Sequence, residues 1–509
     1  MVAGVSCIGG GIRSSAWRQG LGLGFAVREC TCVPDVRGSC GVGVSAVKRS
    51  AGEVFVPKLF LILFSSPCRP GAALCVRAGR WSCCVALMGV YFFIMLRGPR
   101  LRWPLEKGVA MVVLDEPYAS PQLLEWLESS QHPVLRNAFS ERTAFASGRA
   151  LHLVDEAEAA SRLSAGERVY TNSENTLEWI CSHADNPSLT HAITVFKDKV
   201  AMRKLLAQMD EGFFFRACTA DELGKLDFAE LEPHMPFVAK PARGFCSMGV
   251  HTVRCRADWD EALVDFASNA AAWADMYPDS VVAGNDFILE QFITGQEYAL
   301  DAFFDEQGAA HVLNVLRHDF AGPDDTSDRM YTTSAAIVRE KAPAFEEWLS
   351  RVNALVGARN FPVHVEVRVD EQDGGVIRPI EFNPLRFAGL GGTDVAQHAY
   401  GFRTYEAFLT DKLPDFDAAF AYAGDHVYTM SLLNPPEGVT GNEEFDYPAF
   451  SERFDRILEL REFDVPTFGC YGFLFVETDL DERGKAELDF LMHTDLREFL
   501  SCDDAAGQR

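Results

Sequence analysis

Two strand-like segments between residues 361 and 383 carry carboxylate and carboxamide side chains at a spacing that could build a metal site. Glu366 lies on the first segment, and Glu381 and Asn383 lie at the end of the second. Side chains two residues apart on a strand share one face, and the sequence Asp-Gly-Gly at 373–375 is a turn signal. If the segments pair as a hairpin, the three side chains converge. This all-oxygen donor set suits Mg²⁺ or Mn²⁺.

A cation and a glycine-rich loop follow this segment directly. Arg386 comes three residues after Asn383, and residues 389–392 read Gly-Leu-Gly-Gly. A metal beside an arginine and a loop of this kind indicates phosphoryl chemistry. His364 lies on the same strand face as Glu366, where it could serve the site or be a core histidine. Taken alone, all these side chains could equally be solvated charges at strand ends.

Length and composition restrict the classes of protein. A chain of 509 residues can hold about three or four domains. Its net charge of −26 argues against a nucleic-acid-binding surface, because phosphate backbones require a basic patch. No membrane association is expected for residues 111–509. The cysteines beyond residue 110 are scattered without zinc-site spacing, which indicates a reducing, cytoplasmic location.

Residues 1–110 differ in composition from the rest. They carry 14 Lys and Arg against 4 Asp and Glu, a net charge of +10. Because the whole chain carries −26, the remaining residues carry −36. The apolar run Cys83–Leu96 could be a membrane anchor, although it is short for one. A transit-type leader is a second interpretation. We favour a third: an atypical basic, Cys-rich extension, unstructured or outside the functional protein, whose start would lie near Met111.

Beyond residue 110 the pattern predicts alternating strands and helices. Residues 111–195 are predicted to form a small α/β domain. An amphipathic helix is expected over Phe196–Met209, with Lys199 in its first turn. A strand ending at Lys240 precedes a loop whose Gly244, Ser247 and Gly249 could fold backbone N–H groups over phosphates. Further strands are expected over 287–290 and 297–304, and a capped final helix over Thr494–Leu500.

The order of these motifs resembles the ATP-grasp superfamily of carboxylate–amine ligases, over roughly residues 111–414. The resemblance implies an α/β and α+β architecture in which a small α/β domain precedes two α+β lobes that clamp ATP. The expected division is extension 1–110, α/β pre-domain 111–195, small lobe with phosphate loop 196–265, large lobe with metal and substrate site 266–414, and α+β C-terminal region 415–509.

The resemblance also implies residue roles. Lys199 and Lys240 would neutralise the ATP phosphates, and the loop with Gly244, Ser247 and Gly249 would close over them. Glu290 would lie at the adenine edge and Glu297 would accept from the ribose hydroxyls. Two metal ions would be held by Glu366, Glu381 and Asn383. The backbone of three residues would read the adenine ring: Gln291, Phe292 and Ile293.

At Arg386 the sequence departs from the commoner family pattern, which places Arg directly after Asn-Pro, because Leu385 intervenes. Arg386 would hold the transferred phosphate or the substrate carboxylate, and Lys240 and His364 complete the catalytic candidates. Arg317 or Arg329, near a polar loop, could bind a substrate carboxylate.

The implied reaction activates a carboxylate as an acyl phosphate, which an amine then attacks, with an amino acid or a peptide as substrate. The partners would be small molecules, and a homodimer is one expectation for the assembly. Two alternatives are an acyl-phosphate enzyme with a thiol or phosphate acceptor, and a non-catalytic ATP-binding regulatory protein.

Overall fold

The computed structural model describes residues 110–501 apart from 244–248, 277–285, 323–324, 326, 437 and 440–442. The basic extension and its three interpretations therefore lie outside the described residues, as do Gly244 and Ser247. Among the helices that are described, none is long and apolar enough to cross a membrane.

The first layer is a parallel sheet with strand order β3-β2-β1-β4, surrounded by helices. Short buried apolar runs form the strands, which is typical of parallel sheets covered on both faces. The small α/β fold predicted for this segment is confirmed. The elements are β1 Met111–Val113, α1 Pro121–Ser130, β2 Val134–Leu135, α2 Ala138–Ser147, β3 Leu153–Val154, α3 Glu156–Ser164, β4 Val169–Thr171, α4 Leu177–His183 and α5 Pro187–Lys197.

The helix predicted over Phe196–Met209 is two helices in the structure. Helix α5 ends at Lys197, and α6 spans Lys199–Leu206. Asp198 separates them because its carboxylate accepts from the N–H groups of Val200 and Ala201, as an N-cap does. The expected position of Lys199 in a first turn is nevertheless confirmed.

A four-stranded antiparallel sheet follows, with the order β5-β8-β6-β7. We expected the small lobe to end at residue 265, but β8 pairs with β5 and β6, so this sheet extends to Gln291. Aromatic side chains on α9 and the sheet form its core. The elements are β5 Phe215–Thr219, α7 Ala220–Leu223, α8 Phe228–Leu231, β6 Phe237–Pro241, β7 His251–Val253, α9 Arg256–Met276 and β8 Asp286–Gln291.

The largest layer is an eight-stranded antiparallel sheet, ordered β13-β12-β9-β10-β11-β14-β17-β16. The last three strands come from the C-terminal region, so this region extends the sheet that carries the hairpin. The elements up to residue 410 are β9 Gln296–Phe304, β10 Ala310–His318, β11 Met330–Thr333, α10 Ala335–Val356, β12 Phe361–Asp370, β13 Val376–Pro384, α11 Val395–Tyr400 and α12 Thr404–Thr410.

The described part of the C-terminal region contributes four more helices and a two-stranded sheet made by β15 and β18. The capped final helix predicted over Thr494–Leu500 is wrong: a short 3₁₀ turn at Arg497–Phe499 leads into β18, and Thr494 ends α16 instead of starting a helix. The elements are α13 Phe416–Ala423, β14 Val427–Leu432, β15 Glu444–Phe445, α14 Tyr447–Ser451, β16 Ile457–Glu462, α15 Val465–Phe468, β17 Gly472–Thr478, α16 Glu482–His493 and β18 Leu500–Ser501.

Candidate active site

The hairpin β12–β13 brings its polar side chains together in register. Glu366 is the cross-strand partner of Glu381, and His364 is the partner of Asn383. Asn383 Nδ2 donates to Glu381 Oε1 at 3.1 Å. The convergence expected from the period-2 pattern is therefore present in the structure.

The two glutamates of this hairpin have opposite electrostatic environments. Burial, together with the charges of Glu381, Glu297 and Asp328, raises the pKa of Glu366 well above its usual range. Burial also acts to raise the pKa of Glu381, but Lys199 and Lys197 outweigh it and hold that pKa well below its usual range. Lys199 Nζ lies 2.9 Å from Glu381 Oε2. One carboxylate is thus neutralised by lysine, while the other faces only partly compensated negative charge.

A second buried cluster joins the four-stranded sheet to α6. Glu290, 2% exposed, binds Lys240 Nζ at 2.7 Å through one oxygen and Arg203 Nε at 2.7 Å through the other. Burial acts to raise the pKa of Glu290, but Arg203 and Lys240 lower it to about 2. Arg203 also donates to the Pro379 carbonyl at 2.6 Å. This arginine was not among the residues predicted from the sequence, and it links Glu290, the partner of Lys240, to the β12–β13 hairpin.

The two lysines differ in their electrostatic balance. Burial lowers the pKa of Lys240 below its usual value despite the charge of Glu290. Burial has the same tendency at Lys199, but Glu381 outweighs it and raises the pKa. Both side chains are buried within carboxylate clusters, so they are not solvated surface lysines.

The backbone of residues 291–293, which was expected to contact the adenine ring, forms hydrogen bonds within the protein. The N–H of Gln291 donates to the Phe214 carbonyl at 2.9 Å, and the N–H of Phe292 donates to the Pro236 carbonyl at 3.3 Å. The Ile293 carbonyl accepts from Arg368 at 2.8 Å. These bonds fix the connection between β8 and β9.

Glu297, the expected ribose ligand, is buried between two side chains from neighbouring strands. His318 Nδ1 lies 2.9 Å from its Oε1, and Arg368 Nε donates to its Oε2 at 2.9 Å. Burial acts to lower the pKa of His318, but Glu297 raises it above its usual value. A carboxylate oxygen can accept more than one hydrogen bond, so Glu297 retains capacity for a hydroxyl.

The backbone at Leu385 turns sharply as the hairpin ends. Leu385 has φ +61°, a left-handed conformation that is rare for a leucine, and it is fully buried. Its N–H donates to the Pro362 carbonyl, and its carbonyl accepts from the Thr171 N–H, both at 2.9 Å. The residue inserted into the family pattern therefore connects the β12–β13 hairpin to β4.

Arg386 binds a carboxylate of the N-terminal domain. Its Nη2 and Nε lie 3.0 and 3.2 Å from Glu174 Oε1, and Lys197 forms an ion pair with Glu174 Oε2. The charge of Arg386 also interacts with those of Glu381 and Glu366. Neither Glu174 nor Lys197 was selected from the sequence.

His364 is held by a buried aspartate. Its Nδ1 lies 2.8 Å from Asp301 Oδ1, and its Nε2 lies 3.8 Å from Glu366 Oε1. Asp301 also accepts from the Ala388 N–H at 2.8 Å and the Thr393 hydroxyl at 2.7 Å. Asp301 thereby orients His364 and fixes the loop that follows Arg386.

The proposed carboxylate-binding arginines have other partners. Arg329 donates to the Thr494 carbonyl at 2.5 Å, at the end of α16, and Arg317 pairs with Asp319 at 2.8 Å. Asp328 is the residue of this segment that interacts with the hairpin glutamates, and it accepts from the Tyr331 hydroxyl at 2.9 Å.

Of the phosphate-loop candidates, only Gly249 is described, with φ +65°.

Arg203 thus connects the four-stranded sheet, which carries Lys240 and Glu290, to the hairpin of the eight-stranded sheet. The ATP-grasp domain family matches residues 233–394. This match confirms the resemblance to the ATP-grasp superfamily that was inferred from the order of the motifs. A search among curated proteins found no match.

Solved structures share the fold at low sequence identity. L-amino acid ligase from Bacillus licheniformis matches with a TM-score of 0.56 and 17% identity, over 78% of this chain and 98% of that chain. Biotin carboxylase from Campylobacter jejuni, in its β-γ-ATP complex, gives 0.50 and 12%, over 77% and 91%. N5-carboxyaminoimidazole synthase from Aspergillus clavatus, in complex with ADP and a ribonucleotide, gives 0.50 and 15%, over 76% and 98%.

Proposed function

We propose that this protein is an ATP-dependent ligase that activates a carboxylate as an acyl phosphate and joins it to an amine. The substrates are an amino acid or a peptide, and ADP and phosphate are released. The observation that carries the proposal is the 2.9 Å contact between Lys199 and Glu381, because these are the residues proposed to bind phosphate and metal, and they lie directly against each other. The L-amino acid ligase and the two nucleotide complexes with the same fold support it.

The nucleotide would bind between the four-stranded and the eight-stranded sheets. Lys199 and Lys240 would contact its phosphates as point charges. The loop containing Gly244, Ser247 and Gly249 would cover them. Glu290, with the backbone of residues 291–293, would hold the adenine side, and Glu297 would hold the ribose.

The donor set fits Mg²⁺ or Mn²⁺. Glu366, Glu381 and Asn383 supply two carboxylates and a carboxamide oxygen, which hard divalent cations prefer. Burial and the neighbouring carboxylates raise the pKa of Glu366, and such a cation would favour its charged form. In the described part of the chain, no group of three His, Cys, Asp or Glu side chains is arranged to hold a metal, and the set proposed here combines two carboxylates with an amide oxygen. Bound there, two ions would neutralise the phosphate charge that develops during transfer.

We assign the steps of the proposed reaction to residues of this chain as follows. A carboxylate is a poor electrophile, so its oxygen attacks the γ-phosphorus of ATP, the bond to the ADP oxygen breaks, and an acyl phosphate forms. Arg386 would stabilise charge on the transferred group or on the substrate carboxylate. His364, which Asp301 orients, lies on the same strand face as Glu366 and would complete the catalytic set there. Attack of the amine on the acyl carbon forms the amide and expels phosphate.

Phosphate release tests this proposal. The full chain is incubated with ATP, Mg²⁺ and pooled amino acids, from which single members are then omitted. Release that requires two substrates and yields ADP is expected. Release without any amine would favour a thiol or phosphate acceptor instead. Binding of ATP without turnover on the pool would favour a regulatory role.

We also propose that the protein acts in the cytoplasm on small molecules. The scattered cysteines are consistent with a reducing compartment. A homodimer is the proposed assembly, which light scattering of the purified chain would test.

A further inference from the structure

Glu174 is a residue of the N-terminal domain that contacts Arg386 in the candidate site. It follows β4 and opens a 3₁₀ turn, Glu174–Thr176, that Ser173 caps. Its side chain is 13% exposed, and each carboxylate oxygen has a cationic partner: Oε1 binds Arg386 and Oε2 binds Lys197. Burial acts to raise the pKa of Glu174, but Lys197 and Arg386 lower it. One carboxylate is therefore shared by two cations that would otherwise repel each other.

The two cations border the metal ligands. Lys197 lowers the pKa of Glu381, and the charge of Arg386 interacts with those of both Glu381 and Glu366. Together with Glu174 they carry a net charge of +1. This is the balance expected where an anion binds beside the metal site without an excess of bare positive charge.

The backbone conformation of Leu385 also helps to hold Glu174 and Arg386 next to each other. A left-handed conformation is unfavourable for a leucine, so its surroundings must impose it. Here the bonds of Leu385 to Pro362 and Thr171 do so. Thr171 ends β4, three residues before Glu174. The backbone that presents Arg386 and the backbone that presents Glu174 are therefore joined at one place.

We propose that Glu174 is a positioning residue that holds Lys197 and Arg386 as a two-cation seat. The occupant is an anion, namely the substrate carboxylate and the acyl phosphate formed from it. This assignment rests on the proposed ligase function. It also makes turnover depend on a residue outside the ATP-grasp lobes.

Steady-state kinetics of Glu174→Gln, Glu174→Asp and the control Glu178→Gln in the full chain tests the positioning role. Glu178 is exposed on α4 of the same domain. For Glu174→Gln we expect kcat to fall about tenfold to a hundredfold, the effect of misplacing a reacting group by ~1 Å. The KM for the acid should stay level or fall, because the two cations are then less neutralised. Glu174→Asp should keep more of kcat than Glu174→Gln does. The control Glu178→Gln should leave kcat unchanged.

The outcomes separate positioning from a merely structural role. Wild-type kcat in both Glu174 variants would overturn the proposal. So would a parallel loss of kcat, acid affinity and melting temperature, which indicates general destabilisation.

A binding measurement tests the seat without turnover, so its failure is distinct from failure of the ligase function. Inorganic phosphate is titrated by calorimetry into the full chain saturated with MgADP. Lys197→Met should weaken phosphate binding about tenfold, as expected for one lost charge-assisted hydrogen bond, and Glu174→Gln should not weaken it. Unchanged phosphate affinity in Lys197→Met, or no phosphate binding by the wild type, would overturn the seat.

Discussion

Glu366 and Glu381 are cross-strand partners on one hairpin, yet their surroundings move their pKa values in opposite directions. Lys199 neutralises Glu381, whereas Glu366 lies among further carboxylates. A cation at this hairpin would compensate the charge on Glu366 that the protein leaves uncompensated. The pair therefore provides the most specific structural argument for metal binding.

Replacing Glu366 should stabilise the metal-free protein at high pH. The pKa of Glu366 is raised in the folded state, so its contribution to stability is present below the unfolded value of about 4.5 and is lost as pH rises. Metal-free Glu366→Gln should thus melt above the wild type at pH 8, with a gap that closes toward pH 4.5. Added Mg²⁺ should stabilise the wild type more than the variant. Thermal melts at a series of pH values measure this difference in melting temperature. A difference that widens as pH falls would contradict the prediction.

Glu290→Gln should have the opposite pH dependence. The pKa of Glu290 is lowered to about 2, so its contribution is present above about 4.5 and is lost as pH falls toward 2. Urea unfolding at pH 7 should show a loss of about 3–5 kcal/mol, because Lys240 and Arg203 remain buried without a counter-charge. The control Glu230→Gln removes an exposed pair with Arg216 and should cost under about 1 kcal/mol. Equal losses in the two variants would contradict the buried cluster.

Lys199→Met should weaken binding of ATP far more than binding of adenosine. The lysine is placed to contact phosphates, so its loss removes a charge that only the phosphorylated ligand can use. Calorimetry with Mg²⁺ present measures both affinities. Lys204→Met, on the exposed face of the same helix, is the matched control and should leave both unchanged. Equal weakening of the two ligands by Lys199→Met would place Lys199 away from the phosphates.

Two neighbouring glycines in the loop after Arg386 should respond differently to alanine. Gly391 has φ +73°, and a Cβ there would lie 2.5 Å from Arg461 Nη1, within a buried network with Asp394 and Glu459. Gly391→Ala should lower the free energy of unfolding by at least about 1–2 kcal/mol. Gly392→Ala meets only side chains at 3.4 Å or more and should cost less. Denaturant melts compare the two, and a similar loss in both would show that the loop adapts freely.

Local pattern predicted the hairpin and most of its surroundings. A period of two and an Asp-Gly-Gly turn were enough to place Glu366, Glu381 and Asn383 together. The break at Asp198 was missed because apolar residues continue on both sides of it, and only the capping bonds of its side chain separate the helices.

The rest of the site depends on contacts between distant segments. Glu174 and Arg386 are separated by 212 residues, and no spacing rule connects them. The extension of the large sheet by C-terminal strands depends on the pairing of β11 with β14, which local propensity does not encode. No role was predicted for Asp301, because its role appears only when His364 and the loop after Arg386 pack against it.

The most direct test of the central claim is isotope transfer from the acid to phosphate. The acid identified by omitting single substrates is supplied with ¹⁸O in its carboxylate, together with ATP, Mg²⁺, the amine and the full chain, and the released phosphate is analysed by mass spectrometry. An acyl-phosphate ligase transfers one carboxylate oxygen to each phosphate, and ADP is the co-product. Label in AMP, or phosphate without label, would contradict the mechanism.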